Sequence, residues 1–162
     1  MVDVIFVNYK STRYLLRCLD SIKSAGGIEK INIFIQDNAS KDEIDQIRLT
    51  SGIQLSINSN NFGFAKAINQ ALQKGDADYV VLLNPDILVV NGFFESALQF
   101  MDSNPQVGLL GPRIFDENGS IQNSARSFPT PLTTFFGRSS FLSRIFPNNP
   151  VTRRNLLNLQ SD

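Results

Sequence analysis

The 162-residue chain has no histidine, no tryptophan and a single cysteine, Cys18. Without an imidazole it cannot assemble a Ser-His-Asp triad, and with one thiol it can close neither an internal disulfide nor a Cys/His zinc site. Any metal it binds must sit on oxygen, which selects hard ions such as Mg²⁺ or Mn²⁺. Neither sign of charge is in excess: fifteen Lys and Arg against fifteen Asp and Glu leave a net charge of 0. That balance argues against a nucleic-acid partner held by neutralising many phosphates. An uninterrupted membrane-spanning run is missing too, because the longest apolar stretch, YVVLLNPDILVV (79–90), is broken by Asn84, Pro85 and Asp86. The N-terminus, MVDVIFVNY, lacks a basic n-region, so no signal peptide is expected and the expected compartment is the cytoplasm; the sequons NAS (38–40) and NGS (118–120) then carry little meaning. There is also no Gly-x-x-x-x-Gly-Lys-Ser/Thr loop and no Gly-x-Gly-x-x-Gly, so P-loop and dinucleotide-binding readings lack their glycines.

What is present is a 42% apolar share, enough for the core of one domain. VDVIFVNY (2–9) is β-branched and aromatic, and the following STRYLLRCLDSIKSA places Leu15, Leu19 and Ile22 on one helical face, with Leu16 beside them and Gly26 and Gly27 at its end. KINIFIQDNAS (30–40) reads as a second strand, after which Ser40 and Glu43 stand at capping-box spacing before a second helix. IQLSIN (53–58) alternates as a third strand, and GFAKAINQALQKG (63–75) reads as a third helix with Phe64, Ile68, Ala71 and Leu72 inward and Gly75 at its C-cap. YVVLLN is apolar throughout, as expected of a central parallel strand covered on both faces. A fourth helix over 91–105 stops at Pro105, and VGLLGPRIF leads to the turn DENG (116–119) and a hairpin return. The βαβαβαβαβ order predicts an α/β fold, a mostly parallel sheet with helices on both sides. After about Ser127 no period persists: 128–162 is irregular, with four Arg, one Asp, four of the seven prolines and five Phe.

Four apolar strands run into polar clusters: Asn8-Tyr9-Lys10-Ser11, Gln36-Asp37-Asn38, Asn58-Ser59-Asn60-Asn61 and Asn84-Pro85-Asp86. In an open parallel sheet all these ends share the carboxyl edge, where a crevice at the switch in strand order binds ligands. Asp86 is thereby explained as a residue just past a buried strand, with Pro85 stiffening the exit. Each cluster taken alone is also what turns and helix N-caps are made of, and Lys66 alone is an ordinary solvated helix lysine. Together they point to a nucleotide or phosphate ligand. A receiver-like domain would need an acidic pair after the first strand, where this chain has Asn8-Tyr9, and a nucleotidyltransferase would open with a Gly-rich loop.

IFVNYKS, IQDNAS, NNFGFAKAIN and VVLLNPDILV, in this order over residues 3–130, resemble the inverting family 2 glycosyltransferases of the GT-A fold. The segment VGLLGPRIFDENGSIQNSARSFPTP is similar to their rhamnosyltransferase-like branch. The resemblance implies a Rossmann-like nucleotide-sugar-binding domain over 1–127, with 128–162 as the start of an acceptor-side region that stops short. It implies that Asp37 hydrogen-bonds a pyrimidine base, that Asn8 and Tyr9 cradle base and ribose, and that Asn61, Gly63 and Lys66 line the nucleotide side. Asp86 matches the last acidic position of the metal motif, holding Mg²⁺ or Mn²⁺ against the donor diphosphate, and Asn84 stands where the first Asp is usual. The carboxylates of Asp37 and Asp86 are thus expected to open into one pocket.

The implied partners are a dTDP- or UDP-linked sugar, with rhamnose as the family-level sugar, and a saccharide or lipid-linked acceptor in cell-surface polysaccharide synthesis. The general base of relatives lies in a downstream acidic motif; here only Asp162 follows Glu117, so no catalytic base is assigned and a truncated chain is expected. A catalytically inactive nucleotide-sugar binder is the alternative. Phe135, Phe136, Phe141 and Phe146, with Arg138 and Arg144, are either unfinished core or a peripheral membrane contact.

Overall fold

The computed structural model describes residues 1–26, 31–48 and 52–122. The aromatic and basic residues singled out beyond 127, and that domain boundary itself, lie outside the described residues. The chain divides into two units, Met1–Gly108 and Leu109–Asp162.

The first unit is an alternation of strands and helices: β1 (Val2–Asn8), α1 (Thr12–Ala25), β2 (Ile31–Asp37), α2 (Asp45–Arg48), β3 (Ile53–Ile57), α3 (Phe64–Leu72), β4 (Tyr79–Leu83) and α4 (Phe93–Ser103). The strands form one parallel sheet in the order β3-β2-β1-β4. β1 is central and buried on both faces, which is why VDVIFVN shows no alternation. Val2, Val4 and Phe6 pack with Ile33 and Ile35 of β2 against Leu15, Cys18, Leu19 and Ile22 of α1, Ile47 of α2 and Phe94 of α4. On the opposite face Ile5 and Phe34 meet Ala71 of α3. Each large side chain removed from water in this way contributes about 1.5–3 kcal/mol.

The direction of chain travel reverses after β3. Strands are added outward from β1 through β2 to β3, and the chain then crosses by α3 to place β4 on the other side of β1. The crevice lies at the carboxyl edge where the strand order switches, between the exits of β1 and β4.

Asp3 is a carboxylate inside the central strand, 2% exposed. Its Oδ1 accepts from Asn32 Nδ2 at 2.8 Å and its Oδ2 from the Ala77 backbone N–H at 3.1 Å. These two bonds tie the connection after α3 to β1 and β2. Gly75 lies against the same carboxylate, and a Cβ there would stand 1.9 Å from Asp3 Oδ2. The glycine expected as a helix cap is instead needed for this close approach, α3 having ended at Gln73.

Several expectations change. Ser40 does not cap α2, which is a single turn beginning at Asp45; its hydroxyl is used elsewhere. Phe64 and Leu72 are not inward but 56% and 40% exposed, and Ala67 and Ala71 are the buried residues of α3. β4 is covered on one face only: Tyr79, Val81 and Leu83 pack on the main core, whereas Val80 and Leu82 are exposed among the described residues. Continuous apolar residues cannot by themselves report which face lies open. In the second unit no strand forms over the described part of VGLLGPRIF; the hairpin is reduced to one antiparallel bridge, Phe115 to Ile121, closed by a turn in which Gly119 N–H donates to Asp116 O at 2.8 Å. Among the described residues no helix is long and apolar enough to cross a membrane.

Candidate functional site

The crevice at the carboxyl edge is a cavity of about 730 Å³, within the range of small-molecule sites. The exit of β1 lines it with Val7, Tyr9 and Ser11, and the first turn of α1 with Tyr14. Asn38, from the exit of β2, shares a wall with Asn61, Gly63 and Phe64 at the start of α3. The other wall is Asn84, Pro85 and Asp86, from the exit of β4.

The Asn84 wall is a tight turn, Ile87 N–H donating to Asn84 O at 3.3 Å. Proline fixes φ at the second position of such a turn, and the turn lifts Asp86 off the strand into solvent. On the facing wall Gly63 has φ +82°, a conformation costly for any side chain, and its N–H donates to Asn61 Oδ1 at 2.9 Å. Asn38 Nδ2 donates to Gly63 O at 3.2 Å, and Asn38 Oδ1 accepts from Asn58 Nδ2 at 2.9 Å. The β2 exit and the α3 entrance are thus held together by side-chain amides.

Beneath the cleft lies a polar node. Asn8 is 0% exposed, and its Nδ2 lies 2.7 Å from Asp37 Oδ1, 3.0 Å from Ser40 Oγ and 3.1 Å from Thr12 Oγ1, two protons shared among three acceptors. Asn8 Oδ1 accepts from Ser11 Oγ at 2.8 Å. Asp37, also 0% exposed, accepts from the Ser40 hydroxyl at Oδ1 and from the Ser40 N–H at Oδ2, 3.0 Å. Ser40 Oγ further accepts from the Lys10 N–H at 3.0 Å. Three non-glycine residues around this node, Lys10, Ala39 and Lys41, have φ between 55° and 60°. That backbone costs about 1–2 kcal/mol per residue, and the node supplies the bonds that hold it. Asp42 Oδ2 completes the arrangement by accepting from the Thr12 N–H at 3.1 Å, at the positive end of α1.

Of the residues expected at the site, Tyr9, Asn61, Gly63, Asn84 and Asp86 line the cleft together. Asn8 and Asp37 lie under its floor with their polar atoms engaged by the chain itself, so the two carboxylates do not open into one pocket: Asp86 does, Asp37 does not. Lys66 lies outside the lining, its ammonium 4.0 Å from the ring centre of Phe62. The sequence holds Ser11, Asn38 and Pro85 inside the polar clusters without marking them as ligand-facing, its period turns Phe64 inward, and nothing in it singles out Val7 or, beyond being an aromatic residue off the apolar stripe of α1, Tyr14.

Among the described residues Asp86 is the one carboxylate lining the cleft, and no group of three or more His, Cys, Asp or Glu is placed to hold a metal. An oxygen donor set this sparse suits an ion that keeps water and takes phosphate oxygens as its remaining ligands, as Mg²⁺ does. The charge of Asp86 also reaches the core: burial first, and this carboxylate second, push the Cys18 thiol up to about 12, against a hydrogen bond with Ser21 that lowers it.

The chain is 28% identical over 165 aligned positions to an N-acetylglucosaminyl-diphospho-decaprenol L-rhamnosyltransferase of Mycobacterium tuberculosis, an alignment covering 94% of this chain and 53% of that protein. The chain thus spans about half the length of the curated relative it matches. Among solved structures, S. aureus TarS 1-349 in complex with UDP-GlcNAc superposes with a TM-score of 0.59 at 23% identity, covering 64% of this chain and 32% of that one. The mannosyltransferase PcManGT of Pyrobaculum calidifontis, in complex with GDP-Man and Mn²⁺, superposes with a TM-score of 0.57 at 23% identity, covering 62% and 32%. These likenesses identify the GT-A fold. The model of Glycosyl transferase family 2 matches residues 3–156, and the chain belongs to that family.

Proposed function

We propose that this chain binds the donor in a reaction that transfers a sugar, with inversion, from a dTDP- or UDP-linked donor to a saccharide or lipid-linked acceptor of cell-surface polysaccharide synthesis. The observation that carries the reading is the cleft at the β1/β4 switch, with Asp86 and Asn84 on one wall and the amides of Asn38 and Asn61 on the other. Rhamnose is the sugar, and a lipid-linked diphosphate the acceptor class, that the name of the mycobacterial relative favours. In this reading Asn61 meets the base edge, Asn38, 2% exposed and bonded to Gly63 and Asn58, braces that wall, and Tyr9 and Phe64, 45% and 56% exposed, offer rings against which the base packs. Asn8 and Asp37 act from below by fixing the loops that carry Tyr9 and Asn38. Lys66 adds positive charge beside the nucleotide end without lining it.

Asp86, with the Asn84 amide beside it, would hold Mg²⁺ or Mn²⁺; when bound, the ion stabilises the negative charge that develops on the departing diphosphate. Asp86 and Asn84 orient that end of the donor, leaving the opposite face of the anomeric carbon to an acceptor hydroxyl. A carboxylate must take the proton of that hydroxyl. Among the described residues lining the cleft Asp86 is the only carboxylate and its place is at the diphosphate, so the base is assigned to none of them. The same observation favours the second reading, a nucleotide-sugar binder without transfer, and a sugar-transfer assay on acceptor extracts separates the two.

The test is thermal denaturation with UDP, dTDP and GDP, each with and without Mn²⁺ or Mg²⁺. A ligand at one hundred times its Kd stabilises by about 2.7 kcal/mol, and UDP or dTDP with metal is expected to raise Tm. Asp86→Asn is expected to remove the metal-dependent part of that rise. A folded sample whose Tm no pyrimidine diphosphate moves would end the proposal.

A further inference from the structure

Asn58 follows β3 and does not line the cleft, yet its amide is bonded to a residue that does. Its backbone N–H donates to Asp37 O at 2.8 Å, which continues the pairing of β3 with β2 and fixes where the side chain starts. Its Nδ2 lies 2.9 Å from Asn38 Oδ1 and 2.9 Å from Gln70 Oε1, one proton for each acceptor. Asn38 Nδ2 in turn donates to Gly63 O at 3.2 Å. The amides of Gln70, Asn58 and Asn38 thus run in series from the body of α3 to the residue that precedes it.

The polarity of this series is set at its Gly63 end. A backbone carbonyl can only accept, so Asn38 must turn its NH₂ toward Gly63 O. Asn38 Oδ1 then points at residue 58, which must donate. An acceptor at position 58 would leave Asn38, 2% exposed, with oxygen against oxygen at one end or the other. Gly63 itself is pinned from both sides, its C=O by Asn38 and its N–H by Asn61 Oδ1 at 2.9 Å. With that oxygen occupied, Asn61 has its NH₂ left to offer an acceptor atom of a ligand in the cleft.

Resting on the donor-binding reading above, we propose that Asn58 is a positioning residue: from outside the cleft its NH₂ sets the orientation of the Asn38 amide and, through Gly63, presents Asn61 to the nucleotide. The experiment measures Kd by calorimetry, in Mn²⁺, for UDP and dTDP. The proteins are the 162-residue chain, Asn58→Asp, Asn58→Ala and Gln70→Glu, at a temperature below the Tm of each. Asn58→Asp keeps the shape and replaces the donor by an acceptor; it is expected to weaken the diphosphate that the unaltered chain binds better at least fivefold. Asn58→Ala only removes the donor and is expected to weaken it at least threefold, which decides the matter should Asn58→Asp not fold. Gln70→Glu adds the same charge at the neighbouring position but still accepts from Asn58, and is expected to stay within twofold. An equal loss in the two acidic variants assigns the effect to charge repulsion and overturns the proposal. A lowered Tm with an unchanged Kd in the Asn58 variants overturns it as well, as does failure of both to fold, because the residue then serves stability alone. Each of these results leaves the donor-binding reading standing, whereas binding of neither diphosphate by the unaltered chain removes both.

Discussion

Replacing Gly75 by alanine probes the bond system that fixes β4, and with it the Asn84 to Asp86 wall. The added Cβ would lie 1.9 Å from Asp3 Oδ2, 2.7 Å from Asp3 Cγ and 3.3 Å from Phe34 Cε2. Ordinary contact begins near 3.4 Å, so the carboxylate must withdraw by roughly 1.5 Å, the difference between 3.4 and 1.9. Asp3 is 2% exposed and has no solvent to move into. Withdrawal stretches the bond from the Ala77 N–H at 3.1 Å, and that from Asn32 Nδ2 at 2.8 Å follows. A hydrogen bond to a charged group is worth about 1.5–3 kcal/mol, overpacking costs about 1–3, and the unfolded chain's lost freedom returns about 0.4–1. The net expectation is a loss of about 2–4 kcal/mol, or about 6–12 °C in Tm for a chain of this size. Urea titration gives the free energy, and Asp3→Ala supplies the second arm of a double-mutant cycle. With the carboxylate gone, Gly75→Ala is expected to cost under about 1 kcal/mol, since only Phe34 remains to be displaced. A cost that is the same in both backgrounds would refute the clash as its cause.

The node under the cleft predicts that Asp37→Asn destabilises by about 2–3 kcal/mol, because an NH₂ would replace an oxygen that now only accepts; a chemical melt checks it, and an unchanged midpoint would contradict the bonding given above. Phe64→Ala is expected to change stability by less than about 0.5 kcal/mol, as befits a residue 56% exposed, while weakening pyrimidine diphosphate binding severalfold by calorimetry. Cys18, raised from an ordinary 9.0 to about 12, keeps its proton in the folded state where the unfolded thiol has lost it. Its contribution to stability is full below pH 9 and is lost as pH rises between about 9 and about 12. Titrating stability over that range, with Cys18→Ala lacking this component, measures it; at pH 8 a disulfide reagent should label the thiol only upon unfolding.

The sequence by itself determined the alternation of strands and helices, the parallel sense of the sheet and the placement of polar clusters on one edge. Those depend on local matters: apolar period, chain-breaking glycines and prolines, and the way a run such as YVVLL stops at Asn84. It also bounded the chemistry, since a chain without histidine and with one buried thiol has only oxygen to offer a cation. Tertiary structure alone decided which polar residues line the cleft. Asp37 and Asn38 are neighbours in sequence, yet the node beneath the floor takes the first while the second lines the wall, because side chains alternate at a strand's end and a carboxylate with three donors around it is best satisfied inside. Gly75 reads as a helix stop until Asp3, some seventy residues away, shows what needs the space. Tyr14 reads as an ordinary helix residue until the fold sets it, 54% exposed, at the cleft. Such distinctions arise from contacts between parts of the chain far apart in sequence, and no local pattern encodes them.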